Sequence, residues 1–114
     1  MAITGNMKLH LRTRHVDLSP ALQDQLREGI YRALGRVSPW IREIDVVISD
    51  TNGPRGGPDK QCRMIVRGRA ITSIVVEQTG ADVRATVAAV AERAERAVLR
   101  TTGRSRALGH SLVS

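Results

Sequence analysis

Phenylalanine is missing from this chain, and Tyr31 and Trp40 are its only aromatic residues. Proteins that grip single-stranded nucleic acid by stacking need exposed aromatic platforms, so a nucleic-acid partner here has to be held through phosphates and shape. Cysteine occurs once, as Cys62, which rules out an internal disulfide and fits a reducing compartment. No segment approaches the ~20 apolar residues of a membrane-spanning helix. The opening Met1-Ala2-Ile3-Thr4-Gly5-Asn6 has no apolar signal core, so a cytoplasmic location is expected. Catalytic signatures are missing as well. There is no CxxC pair, HExxH, P-loop lysine motif or GxSxG. His10, His15 and His110 do not fall at metal-ligand spacing, and Asp17, Asp24, Glu28, Asp45 and Glu77 are scattered without forming a general acid–base couple. These absences argue against an enzyme, a metal site, a cofactor and a small-molecule substrate.

Acids are also scarce: 11 Asp and Glu stand against 18 Lys and Arg, a net charge of +7 over 114 residues. Such a balance points to a polyanionic partner, nucleic acid first and an acidic membrane surface second. Hydrophobic residues make up 41% of the chain, enough for one globular domain with a single modest core.

Residues 1–6 read as a flexible end. Residues 7–14 alternate, with Met7, Leu9 and Leu11 on one face and Lys8, His10, Arg12 and Arg14 on the other, which predicts a half-buried strand with a cationic outer face. Ser19-Pro20 is a helix start, with serine as the cap and proline in the first turn. Leu22, Leu26, Ile30, Ala33 and Val37 then recur at helical spacing. Gly29 lies on the edge of that stripe and reads as a place of close packing, while Asp24 and Arg27 read as outward. Gly35 and Ser38-Pro39 end the helix, and Trp40 reads as an apolar plug between helix and sheet.

Residues 43–49, 61–67 and 70–78 carry β-branched, strand-like patterns, with Cys62, Met64 and Val66 facing the core. Gly80-Ala81-Asp82 opens a second helix, with an acid where the helix dipole favours one. Val83, Val87, Val90, Ala94 and Val98 make its buried stripe; Arg93, Arg96 and Arg100 fall on one flank, and Glu92 and Glu95 on the other. The element order is β-α-β-β-β-α. It predicts an α+β fold: one domain over residues 7–101, with a four-stranded mixed sheet and both helices on one face. Residues 102–114 read as a flexible basic tail.

Between the second and third strands lies Thr51-Asn52-Gly53-Pro54-Arg55-Gly56-Gly57-Pro58-Asp59-Lys60, whose glycines and prolines forbid helix or paired strand along its length. Two readings stand side by side. It is either an inert hairpin tip or a basic finger, with Arg55 and Lys60, that carries backbone N–H groups toward an anion.

The run Leu11-Arg12-Thr13-Arg14-His15-Val16-Asp17-Leu18-Ser19-Pro20-Ala21-Leu22 resembles the first strand and helix start of the ribosome hibernation promoting factors, a family that also includes the ribosome-associated inhibitor of the cold-shock response. Gly80-Ala81-Asp82-Val83-Arg84-Ala85-Thr86-Val87, with Glu92-Arg93 and Glu95-Arg96 behind it, is similar to that family's last helix. The resemblance spans about residues 7 to 105, and the Asn52-Gly53-Pro54-Arg55-Gly56-Gly57 loop looks like a divergent branch. It implies a non-enzymatic protein that binds the small ribosomal subunit and its rRNA, in the channel used by messenger and transfer RNA, and holds idle ribosomes inactive under stress. The matching RNA-facing positions are Arg14, Arg93, Arg96 and Arg100, with Arg84 where an aromatic is more usual. The chain departs from the pattern in an alanine-rich last helix, a longer central loop and no C-terminal domain of the kind through which long members pair ribosomes, which leaves its oligomeric state open. Two other functions fit the composition: a regulatory module for an acidic protein partner, and a general binder of double-stranded RNA.

Overall fold

Alternation at period two and apolar recurrence at period 3.6 place the elements. The structure, a computed structural model, describes residues 7–50, 60–69 and 71–113, with residues 103–113 as backbone alone. Strand β1 spans Lys8–Arg14, helix α1 Pro20–Ala33, strand β2 Ile41–Asp50, strand β3 Lys60–Gly68, strand β4 Ile74–Gly80 and helix α2 Val83–Val113. A 3₁₀ turn, Gly35–Trp40, joins α1 to β2. The sheet order is β1-β2-β3-β4, with β1 parallel to β2 and the other pairs antiparallel. The α+β mixed sheet with two helices expected from the sequence is therefore the observed fold.

One face of the sheet makes the core. Ile44, Val46 and Ile48 of β2, Met64 and Val66 of β3, and Ile30, Val90, Ala94 and Val98 of the helices are almost completely removed from water. Cys62 is part of this core, as its alternation predicts, and burial pushes its thiol up to about 12. Trp40 is half-buried against the same cluster, in keeping with a plug between helix and sheet.

Local chemistry sets the helix ends. The Ser19 hydroxyl accepts the Leu22 N–H at 3.1 Å, with Pro20 in the first turn, so α1 starts where the sequence predicts. The Asp82 carboxylate accepts the Arg84 N–H at 3.0 Å and begins α2. His15 turns the chain after β1 with a left-handed φ of 59°.

Four expectations change. Helix α2 continues past Thr101 to Val113. Gly103 and Gly109 disfavour helix by about 1 kcal/mol each, but no proline interrupts the run. Strand β4 begins at Ile74; Ile71 lies outside it and packs over Gly68, where a β-carbon would overlap the Ile71 side chain and come within 2.9 Å of the Trp40 carbonyl oxygen. Gly29 is not a point of close approach, because a β-carbon there would meet nothing within 4 Å. Arg27 does not reach outward; its guanidinium donates to the Leu9 carbonyl on the outer edge of β1 at 3.3 Å.

Candidate nucleic-acid interface

Arg93, Arg96 and Arg100 follow one another at i, i+3 and i+7, which puts them on a single flank of α2. Because α2 packs along β4, that flank overhangs the sheet edge. The three arginines line a groove of about 490 Å³ with Ile74, Val75, Val76 and Ala97. Ala97, lying between Arg93 and Arg100 on the helix surface, is short and leaves the groove open. Ile74, Val76 and Ala97 give it an apolar floor on the helix-covered side, while the exposed Val75 side chain, in register with Ile65 and Asp45, belongs to the open face at the rim. Arg93 is held in place by two donated bonds, to the Glu77 carbonyl oxygen at 2.8 Å and to the Gln78 side-chain oxygen at 2.9 Å. Arg96 and Arg100 have no hydrogen-bond or ion-pair partner among the described residues, so their charges face solvent.

The acids of α2 are turned away from this groove. Glu95 accepts from Arg36 at 3.0 Å, across to the 3₁₀ turn, and Glu92 lines the other side of the helix. The result is a strip of positive charge over an apolar floor, with nothing negative on the same flank. Guanidinium groups so arranged have the geometry and charge to donate to phosphate oxygens.

The other sequence-predicted residues lie elsewhere. Arg84 lines a second groove of about 320 Å³ between α1 and α2, whose floor includes Gly29, Ala33, Ala88 and Ala91. Arg14 ends β1 on the solvent-facing side of the sheet, three strands from β4. Lys60 opens β3 with its ammonium 3.5 Å from the Asp50 carboxylate, a partly buried pair that offsets its charge. Arg55 and the rest of residues 51–59 lie outside the described residues, so the two readings of that loop stay as they were. The structure thus brings Arg93, Arg96 and Arg100 together and distributes Arg14, Lys60 and Arg84 over other surfaces.

The sequence reading missed a group on the open face of the sheet. His10, Glu43 and Asp45 offer ligand atoms that all lie within 4.8 Å of one another. His10 is hydrogen-bonded to the Glu43 carboxylate at 2.9 Å and Asp45 is paired with Arg67, so both acids already have partners within the sheet. The missing signal was register: His10 sits directly across from Asp45 in the parallel β1–β2 pair, which spacing along one strand cannot reveal.

Comparison with known proteins adds a family. The model described as Sigma 54 modulation protein / S30EA ribosomal protein matches residues 9–106. Among solved structures, a ribosomal subunit interface protein from Coxiella burnetii superposes with a TM-score of 0.73 at 18% identity, covering 85% of this chain and 99% of its own. The Protein Y N-terminal domain from Thermus thermophilus gives 0.66 at 23% identity, covering 83% of this chain and 97% of its own. At these identities the two structures bear on fold alone. No curated protein matches the chain significantly by sequence.

Proposed function

The chain belongs to the Sigma 54 modulation protein / S30EA ribosomal protein family, and from that premise we propose that it binds the small ribosomal subunit through rRNA phosphates and silences or stabilises idle ribosomes. The observation that carries this reading is the α2 groove, where Arg93, Arg96 and Arg100 stand together with the helix acids turned away. A net charge of +7 and the near absence of aromatics favour phosphate contacts over base stacking. The fold neighbour from Coxiella burnetii is described as a ribosomal subunit interface protein, which supports the choice of partner. Arg14 and Arg84, on other surfaces, and Arg55 and Lys60 at the loop are secondary contacts in this reading.

The test is co-sedimentation of the purified protein with small ribosomal subunits over a range of salt. Association at low salt that falls steeply as salt rises is expected, because each phosphate contact releases counterions. No association, or retention that ignores salt, overturns the proposal. Equal affinity for any RNA duplex assigns the chain instead to general duplex binding, and a pull-down insensitive to RNase assigns it to an acidic protein partner.

A further inference from the structure

Both helices cover one face of the sheet, and the other face carries a pattern that single-strand reading does not show. Its side chains fall into rows across the four strands. In two of these rows Lys8 and Arg67 stand with Glu43 and Asp45, two cations against two carboxylates, with Arg67 paired to Asp45 and His10 hydrogen-bonded to Glu43, so that end carries no net charge. The next two rows differ. One runs Arg12, Val47, Arg63, Glu77, and the other Arg14, Ser49, Gln61, Thr79. Here three arginines and three uncharged hydrogen-bonding side chains face solvent with Glu77 as the one acid among these described positions. Glu77 lies 3.5 Å from Arg63, and both side chains are about half exposed, so the pair is weak and open to exchange. Arg12 and Arg14 have no partner among the described residues.

This acid-poor half of the sheet joins the α2 groove. Arg93 donates to the backbone carbonyl of Glu77, the last residue of the Arg12 row. Adjacent strands are about 4.8 Å apart and alternate residues about 6.6 Å, so Arg12, Arg14 and Arg63 form a rigid triangle about 7–12 Å on a side. From the last of these, one strand leads to Arg93 at the sheet edge.

Resting on the reading that the partner is RNA, we infer that the open face of the sheet is a second phosphate-binding surface. An RNA strand leaves the Arg93–Arg96–Arg100 groove, rounds the β4 edge and crosses the sheet over Arg63 to Arg12 and Arg14. Charge complementarity and continuity with the groove select this occupant. Ser49, Gln61 and Thr79 supply uncharged donors to phosphate and ribose oxygens beside the path. The rows with Glu43 and Asp45 mark its border, because their carboxylates cancel Lys8 and Arg67 and leave no net attraction for a phosphate.

The experiment uses the full chain and two probes, purified small ribosomal subunits and an oligouridylate. Replacing Arg12 and Arg63 together by alanine is expected to weaken binding on the order of tenfold and to flatten the salt dependence by about 0.7 per lost contact for a single strand. The double lysine variant, which keeps the charges, retains most of the affinity. Glu77→Gln, which frees Arg63, tightens binding, and Lys8→Ala at the neutral end stays within twofold of the parent. Circular dichroism and thermal midpoint matching the parent exclude unfolding as the cause. Full affinity of the double alanine variant for whichever probe the parent binds overturns the sheet path, as does an equal loss in Lys8→Ala. Should the parent ignore subunits yet bind the oligouridylate, with the double alanine variant impaired, the ribosomal reading falls and the sheet path stands. A parent that binds neither probe overturns both.

Discussion

Two glycines show how differently the same residue type constrains this chain. At Gly68 a β-carbon would run into Ile71 and the Trp40 carbonyl, so the close approach of the β3 end to the 3₁₀ turn depends on a missing side chain. Gly68→Ala is expected to destabilise the protein by about 1–3 kcal/mol through overpacking. At Gly29 the space is empty, and alanine removes the helix penalty of glycine. Gly29→Ala is therefore expected to stabilise by about 0.5–1 kcal/mol. Urea midpoints of the two variants should move in opposite directions; a matching shift contradicts this account of their surroundings. Only part of this was legible beforehand. Helical periodicity places Gly29 at the edge of the apolar stripe but does not say what stands opposite, so close packing and a cavity look alike in sequence. Cys62 was legible, because alternation assigns it inward. With its thiol buried and pushed up to about 12, it should resist alkylation at pH 8 in the folded protein and react at the normal rate in denaturant. Rapid labelling of the folded chain contradicts that burial.

Elements raise a different problem, because β1 and β4 are edge strands with backbone groups open to pairing. Each edge is met by an arginine from a helix: Arg27 of α1 donates to the Leu9 carbonyl and Arg93 of α2 to the Glu77 carbonyl. A charged side chain laid along an edge disfavours docking of another strand. Arg27→Ala combined with Arg93→Ala is expected to increase concentration-dependent self-association, read by analytical ultracentrifugation at low salt. A monomer–oligomer balance identical to the parent argues against edge protection. Sequence reading placed both residues on their helices correctly. It could not see Arg27 turning back to the sheet, because that contact joins residues 18 positions apart. Element ends were less legible than element types. The Ser19 cap fixes the start of α1 by a local bond, whereas the end of α2 and the start of β4 depend on weak propensities and on Ile71 packing over Gly68.

Across the whole molecule, charge is sorted by surface. Acids are drawn into pairs with Arg36, Lys60, Arg67 and His10, while the α2 flank keeps its arginines clear of carboxylates. The alternating strands and two amphipathic helices made the fold readable from the sequence, and i, i+3, i+7 spacing made the arginine flank readable too. What lay hidden was everything set by strand register, above all which open-face residues become neighbours. Binding of ribosomal RNA phosphates by the α2 flank is the central proposal. The most direct measurement is the slope of log affinity against log salt for small ribosomal subunits, compared between the parent and Arg93→Ala/Arg96→Ala/Arg100→Ala. The expected result is a folded variant with weaker binding and a slope shallower by about 2. A folded variant with the parent's affinity and slope would contradict it.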